Sequence, residues 1–126
     1  MSGPDAKSFI NLTDSKGNTA LHDAAWHGDR EVAEALLKAK CNPDIQNKKG
    51  HTALHLAARW EHAGVVEALM KAGCNANLQD TDYGNTALHG AAWFALDGVA
   101  EALLKAGCNA DLQNTNHGNT ALFLAV

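Results

Sequence analysis

The chain repeats itself. "NTALHDAAWHG" from Asn18, "HTALHLAARWE" from His51, "NTALHGAAWFA" from Asn85 and "NTALFLAV" from Asn119 fall into one column, with threonines at 19, 52, 86 and 120, so the periods are 33, 34 and 34. A second column holds "VAEALLKAKCN" from Val32, "VVEALMKAGCN" from Val65 and "VAEALLKAGCN" from Val99, and its cysteines Cys41, Cys74 and Cys108 each follow their threonine by 22 residues. The extra residue of the later units therefore lies after the cysteine, in "LQDTDYGN" and "LQNTNHGN" as against "IQNKKGH". A unit of this size cannot bury an apolar face alone, so the units must stack.

Each unit has a physical reading. Thr19, Thr52 and Thr86 are good N-caps, because the hydroxyl accepts a hydrogen bond from an otherwise unpaired N–H of the first helical turn. A short, thin helix with Ala20, Leu21, Ala24 and Ala25 follows the first of them. A second helix is expected from about Val32, where Val32, Ala35, Leu36 and Ala39 recur at spacings of three and four. Glu34 and Lys38 stand as an i, i+4 pair on its wet side. Gly73 and Gly107 come just after the second helix, where a left-handed residue is wanted. Lys40 replaces that glycine in the first unit at a cost on the order of 1 kcal/mol, so that end is strained or closed differently. The remaining segments, rich in Asn, Asp and Gly, are turns.

A helix, turn, helix and hairpin-like loop at this period with "TALH" resembles the ankyrin repeat, whose signature runs threonine, proline, leucine, histidine, an unconstrained residue and alanine. The resemblance covers residues 9 to 126 and implies an all-α solenoid: a partial hairpin at 9–17, repeats at 18–50, 51–84 and 85–118, and a partial repeat at 119–126. Within the family, "AAWHG" and "KCNPDIQNKKGHTALHLAA" resemble repeats of the death-associated protein kinase type. Alanine stands for the signature proline at Ala20, Ala53, Ala87 and Ala121, and the glycine between the helices survives at Gly28 but gives way to Glu61 and Ala95. The turns of the second and third repeats are therefore less predictable than the first. No polar capping repeat precedes Phe9 and the sequence stops inside a fourth first helix. This reads as a slice of a longer array or a minimal form whose ends can stack on each other.

The histidines His22, His55 and His89 line up, and histidine can ligate metal or move protons. In the family this residue resembles a brace between the helix start and the neighbouring hairpin, and no unit supplies a nucleophile or oriented partner for catalysis. The cysteines, a repeat apart on helices stacked about 8–10 Å from one another, suit neither a disulfide nor a four-ligand zinc site. They read as small buried thiols in the place of a family alanine. No metal or cofactor is implied, and no enzyme. A net charge of −4 argues against nucleic acid, and no apolar run reaches the length of about 18 residues that spans a membrane. Without a signal pattern in "MSGPDAKSF" the expected location is intracellular, cytoplasmic or nuclear.

The tryptophans carry the functional expectation. Trp26 and His27, Arg59 and Trp60, and Trp93 and Phe94 occupy the two positions after the Ala-Ala pair of each repeat. By the resemblance these project from the end of the first helix into a concave groove. All three tryptophans of the chain lie there, and an exposed aromatic row is costly unless it meets something. Trp, Tyr and Arg are also the residues enriched at interface hot spots. The hairpin tips extend the surface through Ser15, Lys16 and Asn18, then Lys48, Lys49 and His51, then Tyr83 and Asn85, then His117 and Asn119. Lys16, Lys48, Lys49 and Arg59 are basic near the start, while Asp80 and Asp82 are acidic later, so a partner with an acidic end and an apolar centre would fit. Asn77, eight residues after Leu69, resembles the hairpin asparagine that an asparaginyl hydroxylase modifies in some ankyrin repeats; Asp44 and Asp111 hold that place elsewhere.

The expected function is a non-catalytic module binding a protein or peptide. The alternative is a structural or self-assembling repeat fragment, natural or engineered, that associates through its uncapped ends.

Overall fold

The computed structural model describes residues 9–111 and 113. Six helices follow one another there: α1 (Ala20–His27), α2 (Arg30–Lys38), α3 (Ala53–Arg59), α4 (Ala63–Lys71), α5 (Ala87–Trp93) and α6 (Asp97–Lys105). Each threonine stands just before its helix as expected. Thr19, Thr52 and Thr86 are extended N-caps whose hydroxyls accept from the backbone N–H of His22, His55 and His89, while those histidine rings accept in return from the threonine N–H. Two otherwise unpaired donors are thereby satisfied at each helix start.

The first helices α1, α3 and α5 stack in one layer and the second helices α2, α4 and α6 in another, with each first helix packed on the second helix of its own repeat. Alanines let the backbones approach: Ala25, Ala57 and Ala91 are completely buried, beneath Leu21, Leu54 and Leu88. Val65, Val66 and Leu69 of α4, with Val99 and Leu103 of α6, fill the space between the layers. Ala20, Val32, Ala35 and Ala39 depart from the expected core: all four are exposed, Leu36 is only partly buried, and Ala33 is the buried residue of α2. Val32 is 44% exposed whereas its equivalents Val65 and Val99 are buried, and Ala20 is exposed whereas Ala53 and Ala87 are buried. These positions face the preceding repeat, and among the described residues no helix pair precedes α1 and α2.

The expected Glu34–Lys38 pair does not form. Arg30, one turn earlier, takes Glu34 at 2.7 Å and reaches Glu67 of the next repeat at 3.4 Å. Helix α2 begins at Arg30, capped by Asp29, and so places Arg30 at i, i+4 before Glu34.

The helix ends keep one geometry whatever residue occupies them. Gly28 has φ 73°, and Glu61 and Ala95 adopt φ 61° and 55° at the same turn. Lys40 has φ 68° where Gly73 and Gly107 have 80° and 88°, so its helix end is strained and not differently closed. Gly28 has a second reason to be glycine: a Cβ there would lie 2.4 Å from the ring of His62, which bonds the carbonyl of Trp26 at 3.1 Å. No helix among the described residues is long and apolar enough to cross a membrane.

Candidate functional site

The two residues after each Ala-Ala pair stand at the ends of the first helices, where core packing stops. Trp26, Trp60, Trp93 and Phe94 are 50%, 43%, 66% and 44% exposed. They are also linked across repeats. The Trp26 and Trp60 rings lie 5.0 Å apart at 56°, and the Arg59 guanidinium sits 4.6 Å from the Trp60 ring centre and 3.7 Å from that of Phe94. Trp26, Trp60, Arg59 and Phe94 thus form a continuous contact series over three repeats, each exposed cation–aromatic contact contributing about 0.5–1 kcal/mol. Trp93 makes no ring contact among the described residues. His27 is exposed at the end of α1.

What fixes this row lies at the other end of the first helices. The Thr19 amide can only donate, so Nδ1 of His22 accepts from it at 3.0 Å and the ring proton is on Nε2, which donates to the carbonyl of His51 at 2.9 Å. His55 repeats this with the Thr52 amide at 3.1 Å and the Asn85 carbonyl at 2.8 Å. Both rings must be neutral. Burial pushes their pKa values below the ordinary imidazole value, against the opposing pull of those carbonyls. His89 likewise accepts from the Thr86 amide at 3.1 Å. His22 and His55 are braces between a helix start and the neighbouring hairpin, as the resemblance implies, and His89 makes the same bonds at its own helix start.

Between the hairpin arms and the first-helix ends lies a groove of about 530 Å³. Leu56, Gly90, Trp93 and Phe94 form its apolar side, Arg59 stands beside them, and His51, Asp80, Asp82 and Tyr83 line the hairpin side. Leu56 and Gly90 were not among the expected binding residues. The available signal was their column, Asp23, Leu56 and Gly90, which is the unconstrained residue of the repeat signature. A Cβ on Gly90 would meet nothing within 4 Å, so glycine there simply leaves the groove wide.

The hairpin tips divide into reaching and structural residues. Lys16, Lys48, Lys49 and Tyr83 are exposed. His51 is about a quarter exposed and pairs with Asp80 at 3.3 Å, its ring 5.6 Å from that of His55. Asp80 is buried and not a surface charge. Burial alone would raise its pKa, but the hydrogen bond from His51 and the backbone N–H groups of Tyr83 and Asn85 bring it down to about 2. The same rung joins Asn18 and Asn47 one repeat earlier, at 2.9 Å. His117 and Asn119 lie outside the described residues.

Asn77 is exposed, and its carbonyl oxygen accepts from the Asn109 amide at 2.9 Å. Asp44 bonds the Asn75 amide in the same way at 2.8 Å. The cysteines are free; Cys41 is buried, whereas Cys74 and Cys108 are only partly so. Burial raises all three thiols, Cys74 up to about 12 with help from the nearby Asp44 carboxylate, so none is a thiolate nucleophile at neutral pH. Among the described residues no group of three or more His, Cys, Asp or Glu side chains is arranged to hold a metal ion.

No curated protein matches the sequence. A family model for three copies of the ankyrin repeat matches residues 28–114, and a second for many copies matches residues 2–37.

Proposed function

Because the chain belongs to the ankyrin-repeat family, whose repeats generally mediate protein–protein interaction and are typically non-catalytic, we propose that it binds a protein or peptide through the groove face of its first helices and its hairpin tips. The exposed aromatic row carries this reading. Four large aromatic side chains stand together in solvent, while the core is already filled by Ala, Leu and Val. Contiguous exposed apolar surface of this kind marks interaction sites. Trp26, Trp60, Trp93 and Phe94 supply the buried area on binding. His27, Arg59, Tyr83, Lys16, Lys48 and Lys49 set the register, with His51 beside them; by its place in the repeat His117 belongs to the same set.

A random peptide display library, panned on the whole chain, tests the reading. Peptides that bind wild type and lose binding to a Trp26→Ala, Trp60→Ala, Trp93→Ala variant that stays folded at the assay temperature are expected. Binding that survives the triple change would place recognition elsewhere, and concentration-dependent sedimentation of the chain alone would favour association through its ends. Oxygen addition at Asn77 is a separate proposal, checked by mass spectrometry after coexpression with an asparaginyl hydroxylase; an unmodified mass rejects it.

A further inference from the structure

Arg59 breaks the tryptophan series. It occupies the place of Trp26 and Trp93 in its repeat, and among the described residues it is the only Lys or Arg that lines the groove. Its guanidinium carbon lies over the Phe94 ring, 3.7 Å from the ring centre, and over the Trp60 ring at 4.6 Å. Among the described residues it makes no hydrogen bond or ion pair. Arg30 is the contrast: on the second helices its guanidinium is taken by Glu34 and Glu67.

We propose that Arg59 anchors a carboxylate of the partner, so that the segment entering the groove presents an aspartate or glutamate beside apolar residues. The inference rests on the groove-face reading above and names the partner's chemistry. A guanidinium stacked on rings has already lost much of its rotational freedom, and its N–H edges form a planar fork that matches the two oxygens of a carboxylate. The surrounding apolar surface of Leu56, Trp93 and Phe94 limits screening by water and strengthens the pair. Asp82, exposed on the hairpin side of the groove, disfavours more negative charge, which favours a singly charged carboxylate over a doubly charged phosphate. A lysine or arginine of the partner is repelled at the Arg59 end.

The display library provides the probes. Peptides enriched on wild type are resynthesised with each Asp or Glu replaced by Asn or Gln, and both forms are titrated against wild type, Arg59→Gln, Arg59→Lys and the triple tryptophan variant. One acidic side chain is expected to contribute about tenfold in affinity on wild type, the scale of a hydrogen-bonded charge. Arg59→Gln is expected to lose that factor and bind the acid and the amide alike, and Arg59→Lys to keep part of it. Arg59 is exposed, so these variants stay folded: Arg59→Lys can keep a cation over the rings, Arg59→Gln loses only the two exposed cation–aromatic contacts, and all affinities are read well below every unfolding midpoint. Tryptophan-dependent peptides without an acid preference, or a preference that survives Arg59→Gln, overturn the inference and leave the groove reading standing. A failure to enrich any tryptophan-dependent peptide overturns both.

Discussion

The first and second helices run in the same register but are secured by different forces. Helices α1, α3 and α5 are latched at their N-termini by threonine and histidine, and His22 and His55 reach on to a carbonyl of the next hairpin. Among the second helices, α2 is capped by the Asp29 carboxylate, whereas α4 and α6 follow N-cap residues His62 and Leu96 that make no side-chain cap bond. Their stability comes from fully buried Val65, Val66, Leu69, Val99 and Leu103. The polar layer is the one that displays the groove residues. A helix fixed at one end by hydrogen bonds and along its length by buried alanines and leucines can offer the exposed side chains at its other end, Trp26, Arg59 and Trp93, to recognition.

Leu69→Ala is the largest expected blow to the apolar layer, about 3 kcal/mol for a buried leucine whose site cannot collapse, seen as a lower urea midpoint. His55→Leu tests the polar layer. It strands the buried Thr52 amide and the Asn85 carbonyl, with an expected loss of about 2 kcal/mol and faster hydrogen exchange at Thr52. If His55→Leu were neutral, the two layers would not differ as described.

Acid separates the layers without mutation. His22 and His55 have pKa values below their unfolded value of about 6.5. The unfolded chain therefore binds protons first, and stability present above that value is lost as pH falls below it. The slope is at most about 1.4 kcal/mol per pH unit for each ring. Asp80 has its pKa lowered to about 2, so its contribution is lost only as pH falls below about 4. Unfolding midpoints between pH 7 and 5 thus report the histidines, and His55→Leu is expected to flatten that slope. An equal slope in both proteins would reject the neutral latch.

The smallest effect concerns the helix ends both layers share. Glu61→Gly and Ala95→Gly remove a Cβ from φ 61° and 55° and are each expected to raise stability by about 1 kcal/mol. Gly73→Ala, at φ 80° with open space around it, is expected to lower it by a similar amount. Thermal unfolding of the three variants checks the signs.

Most of this architecture is legible in the sequence because it is said several times over. The threonine caps, the histidine braces and the place of the extra residue each recur in register. What was not legible depends on neighbours. Glu61 and Ala95 leave the turn undecided locally, and stacking imposes the left-handed geometry on them. Val32 and Val65 look identical in sequence, yet only Val65 has a preceding repeat to pack on among the described residues. Asp80 looks like a loop charge, and three hydrogen-bond donors that converge only in the fold draw it inside. At the groove, the aromatic row was visible as a column, but the stacking of Arg59 on Phe94 needed the spacing of the repeats.

The tips have room for a change of length. Asn47 closes its tip on His51 through a 2.9 Å backbone bond, and Asp80 closes the next on Asn85 at 2.8 Å, with one residue more between them. The glutamines follow suit: Gln46 reaches Gly50 and Gln79, while Gln79 reaches Gly84 and Gln113, all at 2.7–2.9 Å. The added residue is absorbed above the closure, and Tyr83 stands exposed in that longer tip. Insertions of this kind alter how far a hairpin extends over a ligand while the helices below keep their alignment, so contact range and array geometry can evolve independently.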